Sequence, residues 1–143
     1  MSLSYEIDSE HKLVIARAHG VLTYKDISDY QAEVWTCPEV IGFDEIIDVS
    51  AVEQIDYHSP RQVGELAARS ANMECERETR LAIVAPDYGS YGLARMYQTY
   101  RGLQANSKKK VAVLRSFEEA SMWIASERRL APQSRSLTEK TSS

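Results

Sequence analysis

Apolar and polar residues alternate with period two at the start of the chain. "YEID" (Tyr5–Asp8) and "KLVIARAHG" (Lys12–Gly20) flank the turn residues Ser9, Glu10 and His11, which is the pattern of a β-hairpin. In the second strand Leu13 and Ile15 point one way and Val14, Ala16 and Ala18 the other, and Gly20 is expected to end it. The spacing then becomes helical. Ile27, Tyr30, Gln31 and Val34 form one face of a helix ending near Thr36, with Pro38 as a stop signal beyond. Thr23 is its predicted N-cap, and Asp26 completes a short-carboxylate capping box.

The same alternation continues to the C-terminus. "FDEIIDVS" (Phe43–Ser50) reads as a buried strand flanked by solvated Asp44 and Asp48. A helix with Val63, Leu66, Ala67 and Ser70 on its inner face follows, joined by charged "ECERET" to the apolar strand "RLAIVAP" (Arg80–Pro86). Asp87 caps a helix running to about Ala105. Lys108 to Lys110 read as a solvated approach to the last strand, Val111–Leu114. "SFEEASMWIASE" opens with a capping box at Ser116 and Glu119, and Phe117, Ala120, Ser121 and Ile124 line its face. From about Arg129 the chain is polar and serine-rich, the composition of a disordered tail. This order predicts one α/β domain over residues 4–128, with residues 129–143 as tail. Its sheet should be mixed, mainly parallel, with about five strands, four helices and right-handed crossovers.

Composition narrows the class. The 143 residues are 43% hydrophobic and 27% charged, as in a globular chain long enough to bury a core. A net charge of -4 argues against a dedicated nucleic-acid binder. Cys37 and Cys75 form no C-x-x-C, and His11, His19 and His58 form no ligand set, so neither a metal nor a cofactor is expected. The polar start "MSLSYEIDSEHK" lacks the basic and apolar regions of a signal peptide, and no apolar run reaches the roughly 18 residues of a membrane span. A cytoplasmic location is the corresponding expectation.

Two stretches carry candidate chemistry. Asp56, His58 and Ser59 lie within four positions. In an extended segment Asp56 and His58 share a side and Ser59 points away, which is poor geometry for a nucleophile and its base. "SPRQ" explains Ser59 more simply, as a helix N-cap with Pro60 at the first helical position and Gln62 closing a capping box. A regulatory hydroxyl and a catalytic group are the sharper alternatives. The second stretch is "DYGSYGLARMYQTYRGLQ". Leu93, Met96, Tyr97 and Tyr100 lie at core spacing; Tyr91, Arg95, Gln98 and Gly102 form another stripe. Gly89 and Gly92 weaken the helix by about 1 kcal/mol each relative to alanine, a sign of close approach by a backbone or ligand. "GSYG" is neither a Walker loop nor G-x-G-x-x-G. Open parallel sheets bind ligands beyond their strands' carboxyl ends, here at the helix starts Ser59, Asp87 and Ser116. Trp35 or Trp123, if exposed, would mark a homodimer surface.

The segment "IIDVSAVEQIDYHS" combines a strand, D-x-S-x-V, and I-D-x-x-S before a helix. It resembles the STAS domains of anti-sigma factor antagonists and sulfate transporters. From Tyr5 to about Glu127 the chain is similar to small bacterial SpoIIAA-like proteins through "YEID", "GFDEIIDVSAV" and the pattern VAPxxxxYGLARMY over Val84 to Tyr97. The resemblance implies a four-helix α/β sandwich related in architecture to CRAL-TRIO domains. It also implies a protein partner that docks at, or phosphorylates, the start of this helix. Asp56 matches the aspartate that a phosphorylated serine directly follows in the antagonists. Here Tyr57 takes that place, Ser59 comes later, and Pro60 or Arg61 replaces the usual glycine. The expected function is a non-enzymatic, regulatory protein-interaction domain. Its surface would include Asp56, Tyr57, His58, Ser59, Asp87, Tyr88, Tyr91 and Arg95. The alternative is a small-molecule or lipid-binding module of CRAL-TRIO-like architecture, with an apolar pocket near Tyr88, Tyr91 and Arg95 and an apolar or anionic ligand. An enzyme would need Asp56, His58 or the tyrosines to converge within about 3 Å in one cleft.

Overall fold

The computed structural model describes residues 2–56, 60–72, 78–104 and 108–130, without the side chain of Tyr88. The chain runs β1 (Leu3–Asp8), β2 (Leu13–Thr23), α1 (Tyr24–Val34), a 3₁₀ turn (Pro38–Val40), β3 (Asp44–Asp56), α2 (Pro60–Asn72), β4 (Thr79–Val84), α3 (Tyr88–Gly102), β5 (Lys109–Leu114) and α4 (Phe117–Leu130). The strands form one mixed sheet in the order β1-β2-β3-β4-β5. Only the β1–β2 hairpin is antiparallel; β2 to β5 pair in parallel. The predicted α/β class and mixed, mainly parallel sheet are therefore what the chain adopts.

Strand order decides which face each helix covers. Successive right-handed crossovers that advance in one direction leave their helices on one side of a sheet. Thus α1, α2 and α3 share a face, over Val14, Ala16, Ala18, Val49, Leu81 and Ile83. The last helix, α4, follows the last strand and crosses to the other face. There Ala120 and Ile124 pack on Ile46, Ala82 and Val84. Among the described residues no helix is long and apolar enough to cross a membrane.

Local signals hold at the helix starts. The Thr23 side chain accepts the Asp26 N–H and Asp26 accepts the Thr23 N–H, forming the capping box. Asp87 accepts the Ser90 N–H at 2.8 Å. Ser116 accepts the Glu119 N–H, but the Glu119 carboxylate takes the Arg115 N–H instead of that of Ser116. The Ser59 capping box lies outside the described residues.

Three expectations change. Gly20 does not end its strand; β2 continues through it to Thr23, and its φ of +66° fits one of two register shifts between β2 and β3. At the first shift, Val49 and Ser50 lie opposite Ala18 alone, a β-bulge. There the Asp48 carboxylate accepts both the backbone N–H and the hydroxyl of Ser50, so the D-x-S motif builds the bulge. Asp44 is not solvated. It is buried, accepting the Arg80 N–H at 2.9 Å and the Arg128 Nε at 2.7 Å, and so ties α4 to the start of β3. Gly92 and Gly89 are not points of close backbone approach among the described residues: a Cβ at Gly92 would meet none of their atoms within 4 Å, and one at Gly89 only the Asp87 carboxylate.

Candidate functional site

Along a strand, residues two apart share a face. On β3 this places Glu45 in phase with Ile47 and, before the bulge, with Val49, all toward the three-helix side. On β5, Lys109 is likewise in phase with Val111 and Val113, and it pairs with Thr79 on β4. The floor under α1–α3 is thus apolar along most of its length and polar at the end where β3, β4 and β5 begin.

Above this floor α2 lies between α1 and α3. It packs mainly on α3 and more sparingly on α1. Its inner face offers Val63, Leu66 and Ala67, of which only leucine is long. The space left beneath is a cavity of about 150 Å³. Apolar side chains from the sheet and all three helices wall it, among them Leu22, Ile27, Ile47, Val63, Leu66, Leu81 and Leu93. Besides Gln31, Ser70 and Ser90 on the helices, polar residues gather at two places. Thr23, Tyr24, Asp56 and Gln62 stand where β2 and β3 end, and Glu45, Thr79 and Lys109 where β3 to β5 begin.

The second group is a buried network. The Tyr30 hydroxyl donates to Glu45 Oε2 at 2.5 Å and the Trp35 indole N–H to the same oxygen at 3.3 Å. Glu45 Oε1 lies 4.0 Å from Lys109 Nζ, and that ammonium sits 4.9 Å over the Trp35 ring. Both charged side chains are under a tenth exposed. Burial, then the charge of Glu45 and its hydrogen bond, push the Tyr30 phenol well above its ordinary range. Burial also raises the Tyr97 phenol, against an opposing hydrogen bond with Ser70. Both tyrosines are therefore neutral donors at physiological pH. This geometry overturns two expectations: Lys109 is not a solvated edge residue, and Trp35 lines the cavity instead of marking an exposed dimer surface.

The seam between α1 and α2 is held by hydrogen bonds. Tyr24 donates to Glu65 at 3.1 Å, Gln31 Nε2 to the Leu66 carbonyl at 3.4 Å, and Arg69 to the Ser28 hydroxyl. The Oε1 of buried Gln31 has no partner among the described residues.

Of the residues singled out from sequence, Asp56 lies in the cavity wall. Asp87 is exposed and caps α3, and its hydrogen bonds from Ser90 hold the carboxyl below its usual range. Tyr91 is half-buried under the Arg115 guanidinium, 4.4 Å from its ring centre, and Arg95 is exposed. Tyr57, His58, Ser59 and the side chain of Tyr88 lie outside the described residues. On α3 the cavity is lined by Ser90, Leu93, Ala94 and Tyr97, one stripe round the helix from Tyr91 and Arg95. Glu45, Lys109, Trp35 and Tyr30 were missed as a group. Their signal was the phase of Glu45 with Ile47 and of Lys109 with Val111.

No protein-family model and no curated protein matches the chain. Among solved structures it is similar to an uncharacterised protein of the DUF3478 family from Shewanella loihica PV-4, which has a SpoIIAA-like fold. The TM-score is 0.58 at 13% identity, covering 86% of this chain and 94% of that one. The anti-sigma factor antagonist SpoIIAA in its unphosphorylated form matches at a TM-score of 0.45 and 14% identity, over 84% of this chain and 94% of that one. The sheet order, the four helices and the first of these similarities give the chain a SpoIIAA-like fold.

Proposed function

We propose that this chain is a non-enzymatic binding module that holds a small apolar molecule between its sheet and helices α1–α3. The observation that supports this reading is the cavity of about 150 Å³ under α2, walled largely by aliphatic and aromatic side chains. Apolar voids of roughly this size stay dry and accept benzene-sized ligands. Voids also weaken a fold, so one this large is more readily understood as a ligand site than as loose packing. Native mass spectrometry of protein purified from its source cells is the test. A small-molecule adduct lost on denaturation is the expected result. A bare chain mass, together with no thermal shift across a panel of apolar compounds, would remove the reading.

A regulatory protein-interaction role is the second reading. It is favoured by the SpoIIAA-like fold and by Asp56 and Gln62, on either side of the α2 start, both lining the cavity. A partner docking there would sense whether the cavity is filled. Ser59→Asp, which keeps a residue type that favours helix caps, should then weaken capture of the native partner; unchanged capture would count against this surface.

A further inference from the structure

We propose that the cavity selects a neutral, hydroxyl-tipped apolar molecule, whose hydroxyl sits between Glu45 and Lys109. This deepens, and rests on, the apolar-ligand reading above. The two charged ends are 4.0 Å apart, too far for a direct hydrogen bond. An oxygen about 2.8 Å from each fits between them, and a gap of this kind calls for a bridging atom. Glu45 Oε2 already accepts from Tyr30 and Trp35. Oε1, the oxygen nearer Lys109, is the one placed to take a further donor. A hydroxyl both donates and accepts, so it can give its proton to Glu45 Oε1 and receive one from Lys109 Nζ. A carboxylate head would be set against Glu45, and an ammonium head against Lys109, in a site where unpaired charge is strongly disfavoured. The apolar body would lie along Ile47 and Leu81 beneath Leu66.

The test titrates the full chain with four probes that share one carbon body: 1-hexanol, hexane, hexanoate and hexylammonium. Calorimetry and the tryptophan fluorescence of the chain, in which Trp35 lines the cavity and Trp123 does not, report binding. The alcohol is expected to bind at least about tenfold tighter than either charged probe, and several-fold tighter than the hydrocarbon. In the double variant Glu45→Gln/Lys109→Met both charges go together, so neither is stranded. There the alcohol and hydrocarbon affinities should converge to within about twofold. Circular dichroism checks that variant's fold, and if it does not fold the wild-type probe series decides alone. Hexane binding as tightly as hexanol, or hexanoate binding best, overturns hydroxyl recognition and leaves the apolar site standing. No binding by any probe overturns both.

Discussion

Ala94→Leu fills the cavity from α3. Ala94 is buried and lines the void, and leucine keeps nearly the same helix propensity. At about 24 cal/mol per Å³ of residual void, a cavity of about 150 Å³ represents ~3.6 kcal/mol of stability withheld from the fold. Three added carbons at about 0.8 kcal/mol each set a ceiling of ~2.4 kcal/mol for this substitution. Ordering the leucine side chain takes back roughly 0.5–1 kcal/mol. The expected net gain is about 1.5 kcal/mol, or about 6 °C in Tm for a chain of this size. Urea and thermal unfolding measure it, and the same variant should bind 1-hexanol several-fold more weakly. A loss of more than about 1 kcal/mol with hexanol affinity unchanged would refute the reasoning, because it would mean the new side chain meets packed atoms instead of a void.

Tyr30→Phe removes a hydroxyl donor from buried Glu45 and should lower stability by about 1.5–3 kcal/mol in urea titrations; a change below about 0.5 kcal/mol would show that the carboxylate does not depend on it. Gly92→Ala, at an exposed helical position where a Cβ meets nothing, should raise stability by about 1 kcal/mol, and a decrease would mean an unseen contact. His11 Nδ1 lies 2.8 Å from Asp8 Oδ2, and that hydrogen bond raises the imidazole pKa and lowers that of the carboxyl. The contribution of a raised histidine is fully present below its unfolded value of about 6.5 and is lost as pH rises through the folded value. NMR titration should place His11 above about 6.5, and Asp8→Asn should bring it down; an unmoved His11 would break the link.

Much of the fold was readable from local chemistry because its rules are local. Thr23, Asp87 and Ser116 each place a side-chain acceptor three residues before an N–H that needs one. Gly20 misled because a positive φ serves a bulge within a strand as well as a turn after one. The buried charges were harder for a different reason. Asp44 finds Arg128 84 positions away, and no local pattern contains that pair. The phase of Glu45 and Lys109 told which way they point. Whether the strand ends are covered depends on Trp35 and Tyr30, supplied by α1 and the residue after it. The cavity itself was beyond pattern reading: Val63, Leu66 and Ala67 have the spacing of any core helix, and spacing does not show whether the space beneath is filled.

The cavity beneath α2 goes with how that helix is held. A helix seated on a sheet normally reaches it through long side chains. Here the inner face of α2 is short, and polar contacts hold it from the sides. Tyr24, Gln31 and Ser28 bond to it from α1, and on the α3 side Tyr100 lies 4.0 Å from where a Cβ on Gly64 would sit, while Arg101 Nε donates to Ser70. Hydrogen bonds tolerate a span that dispersion does not, because they fix two partners without filling the space below them. A fold that places three helices on one face of five strands can therefore leave a largely aliphatic cavity beneath the middle one and set an acid and a base at its floor. The same alternation that builds an ordinary core elsewhere in this sheet lines a cavity here, with short residues on one helix above and two charged residues in phase with the apolar floor.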